Sequence, residues 1–343
     1  MNDLAGQIID PRYVEAMGGV DPPPPPELND LTEMYSYLEG MEKLFMDTAP
    51  LFYQGMDAVE NISSELVKIP GLDANEVDLY ITKPVIHTST VGIPCVIFLH
   101  GGGMAINTSS HEMYTRVRED MASKLGFVSI GVEFRNSAGV LGPHPFPAGL
   151  RDCQAALQWA HSQRAARGFS KIVVAGDSGG GNLTLALTLQ MKQYNLLDHI
   201  DGVYAMCPYI SGMYDPTEDP EEFAKLESLT RLDRIFLAVK DLYYFARIYD
   251  PSRLHSRNPL AWPYWAQTAD LTGLPPHVIS LNDGDPLLDE GLAYYRKLMH
   301  AGVRVRCRTV NGTAHAGDLI GLKHTPEIYL STLYDLKFFV DGL

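Results

Sequence analysis

A glycine-rich hexapeptide, Gly176-Asp177-Ser178-Gly179-Gly180-Gly181, carries the clearest chemical signature in the sequence. It fits the pattern G-x-S-x-G, follows the apolar run Ile172–Ala175 and precedes a helical stretch. That context predicts a sharp turn from a strand into a helix with the serine hydroxyl exposed on it. Glycines are needed beside the serine, because neighbouring side chains would collide in a strained turn. The segment therefore predicts Ser178 as a nucleophile at a helix N-terminus, where negative charge is favoured.

A glycine-rich loop that opens a helix can instead hold the phosphate groups of a nucleotide. Such loops need a lysine after the glycines, or the spacing G-x-G-x-x-G. Neither feature occurs around Ser178. The pattern thus favours a nucleophile over a nucleotide site.

A second glycine-rich segment, His100-Gly101-Gly102-Gly103, directly follows the apolar run Val96–Leu99. A loop without side chains can direct backbone N–H groups at the oxyanion that forms during acyl transfer. The segment lies one strand–helix–strand unit ahead of the serine turn, which strengthens this interpretation. His100 precedes the serine in the chain, and we expect it to anchor the glycine loop rather than act as a base.

A serine nucleophile needs a histidine base and a carboxylate that orients the base. With the serine at a strand–helix turn, the carboxylate and then the histidine follow it in the chain. His300, His315 and His324 satisfy that order, but His300 lies at a predicted helix end and His324 near a helix start. His315 directly follows the last predicted strand, at the same sheet edge as Ser178. The sequence therefore predicts His315 as the base.

The loop after the predicted strand Val278–Leu281 offers the candidate carboxylates Asp283, Asp285 and Asp289. Asp289 is expected to begin the next helix, where acidic residues suit the helix dipole. Asp177 is too close to the serine along the chain to reach the far side of an imidazole. Position alone does not separate Asp283 from Asp285.

Short apolar runs alternate with amphipathic stretches through most of the chain. This alternation predicts a doubly wound, mostly parallel α/β sheet, preceded by a hairpin of Glu65–Ile69 and Val77–Thr82. Helices are predicted over 31–48, around 150–160 and over 180–193. The other predicted strands are Cys95–Leu99, Phe127–Val132, Ile172–Ala175, Val203–Met206, Val278–Leu281 and Val305–Val310.

Two segments stand outside this alternation. Residues 1–30 are predicted to be irregular, with the proline run Pro22–Pro26 as a stiff spacer. Residues 208–265 form a long insertion after a predicted strand. In α/β folds such an insertion usually covers the crevice at the carboxyl ends of the strands.

The composition excludes several classes of partner. The 343 residues include 27 basic and 42 acidic side chains, a net charge of −15, which argues against nucleic acid and anionic membranes as partners. No signal peptide or membrane-spanning run is found, so a cytoplasmic location is predicted. The cysteines are scattered without a CxxC pair, so we predict no metal site and favour buried thiols over the alternative of two disulfides. They are Cys95, Cys153, Cys207 and Cys307.

These motifs resemble those of the α/β-hydrolases of the hormone-sensitive-lipase type, the bacterial family IV esterases. The resemblance covers about residues 65–325 and implies one α/β-hydrolase domain over 1–343, with a helical cap from about 1–60 and 208–265. It implies Asp285 as the triad carboxylate and the N–H groups of Gly102, Gly103 and Gly179 as the oxyanion hole. The matching segments are His100–Gly103, Gly176–Gly181, Asp285–Gly291 and His315.

The chain departs from the family pattern at two positions. Many relatives have alanine where this chain has Gly179, and glycine usually follows the histidine where this chain has Ala316. Neither departure removes a catalytic group.

The expected function is that of a carboxylesterase that needs no cofactor and acts on small esters of short to medium acyl chains. Ser178, His315 and Asp285 would act through an acyl-enzyme, and lactones stay open as further substrates. One alternative is an amidase or peptidase with the same triad. Another is a non-catalytic small-molecule receptor on the same fold, which the presence of His315 disfavours. The sequence does not predict the oligomeric state.

Overall fold

The computed structural model describes residues 3–16, 24–48, 50–53, 55–85 and 92–343. Its strands are β1 (Ile62–Pro70), β2 (Glu76–Pro84), β3 (Ile93–Leu99), β4 (Val128–Glu133), β5 (Phe169–Asp177), β6 (Gly202–Met206), β7 (His277–Gly284) and β8 (Val305–Ala314). They form one eight-stranded sheet in the order β1-β2-β4-β3-β5-β6-β7-β8.

Helices connect these strands and flank them at both ends of the chain. The α-helices in the described residues are α1 (Asp3–Ile8), α2 (Pro11–Ala16), α3 (Leu31–Thr48), α4 (Pro50–Tyr53), α5 (Glu112–Asp120), α6 (Ala148–Ser162), α7 (Arg164–Arg167), α8 (Gly179–Gln193), α9 (Pro220–Phe223), α10 (Ser228–Arg231), α11 (Val239–Tyr249), α12 (Thr268–Leu271), α13 (Leu288–His300), α14 (Gly317–Ile320) and α15 (Pro326–Asp341). Short 3-10 turns occur at Gly139–Leu141, Leu197–His199, Pro263–Trp265 and Gly321–Lys323, and a π-helical turn at Met121–Leu125. None of the described helices is both long enough and apolar enough to cross a membrane.

The sheet is mixed at one edge and parallel elsewhere. β1 pairs antiparallel with β2, and β2 pairs antiparallel with β4. All other neighbouring strands are parallel. The predicted α/β fold class is therefore confirmed, and every predicted strand and the hairpin are present. β1 extends beyond its predicted start, because its exposed polar residues carry no apolar pattern.

The parallel strands are buried on both faces, as their continuous apolar runs predict. Along β3 the residues Cys95, Ile97 and Leu99 face one cluster, which includes side chains of α6 and α8. Val96 and Phe98 face a second cluster, which includes side chains of α5 and α15. The carboxyl ends of these strands are thus held between two layers of helices.

Strand register places the site loops at one level of the sheet. Leu99 of β3 pairs with Gly176 of β5, so the glycine loop His100–Gly103 and the serine turn leave the sheet side by side. Gly284 of β7 pairs with Ala314 of β8. Asp285 and His315 therefore emerge from adjacent strands at matching positions.

The described part of the N-terminal arm, residues 3–16 and 24–48, packs against the insertion of residues 208–265. Its helix α3 confirms the prediction for 31–48, and the hydroxyl of Tyr37 donates a hydrogen bond of 2.9 Å to Asp241 on α11. The Tyr244 hydroxyl, also on α11, bonds to the backbone of the arm at Pro26 and Leu28.

The prediction of an irregular segment over residues 1–30 is wrong for the first part of the arm. Helices α1 and α2 form there although each is short. Ile9 and Tyr13 are buried in a cluster with Leu232 and Ile235 of the insertion, so tertiary packing rather than local propensity holds these turns. Part of the predicted proline spacer, Pro22 and Pro23, lies outside the described residues.

Replacing Leu38 by alanine should lower the free energy of unfolding by about 2–4 kcal/mol. The side chain is 0% exposed and belongs to the same core cluster as the sheet. The control is Leu44→Ala on the opposite face of α3, where the side chain is 64% exposed. That change should stay within about 0.5 kcal/mol of the parent in urea denaturation. Equal effects of the two changes would contradict the packing of the arm.

Candidate active site

Ser178 lies on the turn between β5 and α8 with a backbone that non-glycine residues rarely adopt. Its φ is 53° and its ψ is −117°. Hydrogen bonds to β6, to α8 and to the loop after β6 hold this conformation: the Ser178 N–H donates to the Met206 carbonyl, and the Ser178 carbonyl accepts from the N–H groups of Asn182 and Tyr209. A side chain on Gly180 would overlap the Leu99 carbonyl. The serine turn therefore depends on glycine at the point where α8 crosses β3.

His315 connects the serine with a carboxylate. Its Nε2 lies 2.8 Å from Ser178 Oγ, and its Nδ1 lies 2.7 Å from Asp285 Oδ2. Asp285 is 1% exposed, and its other oxygen accepts the Leu287 N–H at 2.9 Å. With Nδ1–H donating to the carboxylate, Nε2 is free to accept the serine proton.

The other candidates for these positions lie elsewhere. Asp283 accepts the Thr313 N–H at 3.3 Å and so holds the backbone of β8. His300 is the last residue of α13, and His324 follows a 3-10 turn. The structure thus brings Asp285, and not Asp283, to the His315 ring.

The electrostatic surroundings of His315 favour its protonated form. Burial, the largest single influence, lowers the pKa of the imidazole, but the interactions with Asp285 and Cys207 together outweigh it and raise that pKa well above its usual value. A histidine in this setting takes up a proton readily and passes it on when a leaving group needs it.

Cys207 is a further side chain at the site, and sequence analysis assigned it no role there. Its Sγ, the Asp285 carboxylate and a ring nitrogen of His315 lie within 4.8 Å of one another. Burial raises the pKa of the thiol to about 11, so it stays neutral at neutral pH. The sequence did carry a signal for this position, because Cys207 directly follows the predicted strand that forms β6. In the sheet, β6 lies between β5 and β7. All four cysteines are free thiols, and the prediction of buried thiols holds for Cys95, Cys153 and Cys207, whereas Cys307 is only partly buried.

The glycine loop passes over the N-terminus of α8. A Cβ atom on Gly179 would lie 2.7 Å from the backbone nitrogen of Gly103. Gly102 and Gly103 have φ values of 111° and 63°, which glycine adopts readily. Within the described part of the chain, the N–H groups of these two glycines donate no hydrogen bond. They are therefore available to a ligand atom beside Ser178.

His100 anchors this loop, as expected. The ring is 1% exposed, stacks on Phe134 with centroids 4.1 Å apart, and bonds through Nδ1 to the Gly101 carbonyl at 2.8 Å. Burial lowers the pKa of His100 to about 3, so the ring is neutral. Its role here is structural.

Two buried carboxylates support the loops around the serine. Asp177 accepts the Tyr114 hydroxyl at 3.3 Å, and the same hydroxyl accepts the Gly101 N–H at 2.9 Å. Glu290 accepts the Ile210 N–H at 2.6 Å and the Ser211 hydroxyl at 2.6 Å. Burial raises the pKa of each carboxyl to about 7. Sequence analysis did not find these roles, because neither the end of a strand, at Asp177, nor the first turn of a helix, at Glu290, indicates that an acidic side chain is buried.

Two groups of side chains in the described residues come close enough to share a metal ion. One consists of His161, Asp198 and His199, where the two rings stack with centroids 3.8 Å apart. The other is Cys207, Asp285 and His315. A metal at the second group would have to break the bond between Asp285 and His315.

Comparison with known proteins agrees with this geometry. Residues 96–318 match a family described as the alpha/beta hydrolase fold. The chain belongs to this family. It is 28% identical over 289 residues to the carboxylesterase NlhH of Mycobacterium tuberculosis. The aligned region covers 77% of this chain and 83% of that protein.

Solved structures place the chain more narrowly. Brefeldin A esterase, a bacterial homologue of human hormone-sensitive lipase, is similar with a TM-score of 0.90 and 36% identity, over 97% of this chain and 93% of that chain. Esterase Est22 is similar with a TM-score of 0.85 and 32% identity, over 98% of each chain. The resemblance to esterases of the hormone-sensitive-lipase type is thus confirmed. The chain is an enzyme, a carboxylic-ester hydrolase.

The structure shows the backbone conformation at Ala316 and the space around Gly179, the two positions that depart from the family pattern. Ala316 adopts the left-handed conformation with φ of 54°, the region in which glycine is ordinarily preferred. At Gly179 the glycine loop leaves no room for a methyl group, since a Cβ there would lie 2.6 Å from the Met104 nitrogen.

Replacing Gly179 by alanine should lower the free energy of unfolding by about 1–3 kcal/mol, because the backbone of Gly103 and Met104 must move. The control is Gly40→Ala in α3, where a Cβ meets nothing within 4 Å. That change should raise stability by about 0.5–1 kcal/mol. Urea denaturation of both variants measures the difference. A Gly179→Ala protein as stable as the parent would show that the loop yields without cost.

Proposed function

We propose that the enzyme hydrolyses carboxylic esters through an acyl-enzyme, with Ser178 as nucleophile, His315 as general base and Asp285 as the residue that orients the base. The observation that carries the proposal is the position of the His315 ring. It lies within hydrogen-bond distance of the serine hydroxyl on one side and of the buried carboxylate on the other. This is the geometry that serine activation requires.

The reaction follows from these positions. Ser178 Oγ attacks the ester carbonyl while its proton moves to Nε2 of His315. When the tetrahedral intermediate collapses, His315 returns that proton to the departing alcohol and the acyl group stays on the serine. Water then gives up a proton to His315, attacks the acyl-enzyme and releases the carboxylic acid.

The negative oxygen of the tetrahedral intermediate needs donors that are already in place. We assign this role to the backbone N–H groups of Gly102, Gly103 and Gly179. The unpaired N–H groups of the glycine loop and its contact with Gly179 support the assignment. The N-terminus of α8 adds a favourable dipole at the same point.

We further propose that the chain is one domain in which about residues 1–60 and the insertion 208–265 form a cap. Phe245 of the insertion touches Gly103, since a Cβ on that glycine would lie 2.7 Å from the Phe245 ring. A cavity of about 570 Å³ lies between the arm at Glu27 and Leu28 and the insertion. Ser178 does not line this cavity, and the preference for short to medium acyl chains stays a prediction from the sequence.

Lactones belong to the proposed substrates because a lactone is an internal ester. The same attack by Ser178 opens the ring, and the alcohol stays attached to the acyl group. An amidase reaction would use the same groups, but the relatives are esterases. The cytoplasmic location stays a prediction from the sequence.

Ser178→Ala should lower turnover of p-nitrophenyl esters by roughly 10⁶-fold, because the nucleophile of a coupled triad is lost. The assay should cover acyl chains of graded length, together with lactones and anilides, in the parent and the variant. Short to medium esters should be the best substrates of the parent. Circular dichroism should show an unchanged fold in the variant. A variant within tenfold of the parent rate would refute the proposed mechanism.

Asp285→Asn should lower turnover by roughly 10⁴-fold, because the amide holds the wrong tautomer of His315. Parental activity should fall as pH decreases through the His315 pKa, since only the neutral ring accepts a proton. The Asp285 carboxylate raises that pKa, so the acid limb of the parent should lie above pH ~6.5. In the variant the limb should move to lower pH. A pH–rate profile shows both effects.

Asp283→Asn is the matched control for this measurement. Asp283 accepts a backbone N–H of β8, whereas the carboxylate bonded to His315 is that of Asp285. Its replacement should leave the position of the acid limb unchanged and cost far less turnover. The opposite ranking of the two variants would transfer the orienting role to Asp283.

A further inference from the structure

Helix α3 of the arm carries a buried glutamate where its pattern calls for an apolar residue. Met34, Leu38 and Glu42 are spaced four residues apart and lie on one face of the helix. Met34 and Leu38 pack in the core, and Glu42 on the same face is only 3% exposed. A carboxylate is costly to bury unless its oxygens are hydrogen-bonded.

Both carboxylate oxygens of Glu42 accept backbone N–H groups. Oε1 accepts from Asn107 at 2.8 Å, and Oε2 accepts from Val140 at 2.8 Å. Gly139, with φ of 61°, brings the second loop close enough that a Cβ there would lie 2.5 Å from Oε2. In the described part of the chain, Glu42 forms no ion pair with a basic side chain. Its partners are the two loops alone.

Asn107 ends the turn that begins in the glycine loop. The N–H groups of Ala105 and Ile106 both donate to the Gly102 carbonyl at 3.0 Å. The far side of this turn is held by the segment that leads to Val140. This segment donates three hydrogen bonds to the turn. The Ser137 N–H donates to the Met104 carbonyl, the Ala138 N–H to the Ala105 carbonyl, and Asn136 Nδ2 to the Asn107 carbonyl.

From these contacts we propose that Glu42 is a positioning residue that holds the oxyanion-binding turn from the arm. The inference rests on the proposed function, because it assumes that the N–H groups of Gly102 and Gly103 receive the oxyanion. The carboxylate ties the end of that turn to the loop at Val140 with two directional hydrogen bonds. The arm thus acts on the chemistry through the glycine loop and does not touch the reacting atoms.

This role predicts an effect on the transition state that exceeds the effect on substrate binding. Donors in an oxyanion hole act on the charge that develops during the reaction, so a small displacement lowers kcat more than it raises KM. A misplacement of about 1 Å can cost roughly 10²-fold in rate. We therefore expect Glu42→Ala to lower kcat by roughly 10- to 100-fold and to change KM by less than about threefold.

The experiment uses the full-length protein and three variants. Glu42→Ala removes both acceptors, whereas Glu42→Gln keeps the shape of the side chain and one accepting oxygen. Glu39→Gln on the exposed face of α3 is the matched control. For each protein we would measure kcat and KM on a p-nitrophenyl ester, thermal unfolding, and inhibition by an aryl trifluoromethyl ketone. Ser178 adds to that ketone, and the resulting alkoxide oxygen occupies the proposed oxyanion site.

Support would be a fall in kcat with a matching rise in the inhibition constant of the ketone, larger in Glu42→Ala than in Glu42→Gln and absent in Glu39→Gln. A lower melting temperature with unchanged kcat and inhibition constant would mean a merely structural role and would overturn the inference. So would a change confined to KM. Ser178→Ala is assayed in parallel. If it stays active, the proposed function fails. If it is inactive while both Glu42 variants match the parent, only the inference fails.

Discussion

The close approach of two backbone segments, with no side chains between them, is the constraint on which the site depends. The glycine loop lies against the first turn of α8, so the residues at Gly179 and Gly180 have no room for a Cβ. Ser178 is held at a positive φ, which costs on the order of 1–3 kcal/mol. The hydrogen bond from the Ser178 N–H to the Met206 carbonyl, and those from the N–H groups of Asn182 and Tyr209 to the Ser178 carbonyl, offset that cost. The nucleophile is thereby presented in one orientation.

The register of the parallel strands brings the other groups to the same place. Because Gly284 pairs with Ala314, Asp285 and His315 leave the sheet at one level, and the ring reaches back across the ends of β6 and β5. The carboxylate that orients the ring also raises its pKa. One ion-pair geometry therefore sets both the direction and the basicity of His315, and a change at Asp285 alters the two together.

Residues that end strands could be identified from the sequence, whereas side-chain direction could not. The motifs around Ser178, His100 and His315 each follow an apolar run, and parallel strands collect such ends at one edge. Asp283 and Asp285 both follow the predicted strand Val278–Leu281, and only the structure shows that Asp283 still belongs to β7 and bonds to β8. Helices α1 and α2 were missed because their stability comes from contacts with the distant insertion.

Two glutamates illustrate how the loops of this site are held. Glu42 on α3 and Glu290 on α13 are both buried, and each accepts backbone N–H groups from a loop beside the serine. A salt bridge could satisfy such a carboxylate, but its partner would be a long side chain with many rotamers. A backbone N–H has one direction and moves only with its loop. The loops of this site must carry glycine, the residue that least restricts its own conformation. Carboxylates on helices, bonded to the backbone of these loops, therefore hold the loops rigidly in place.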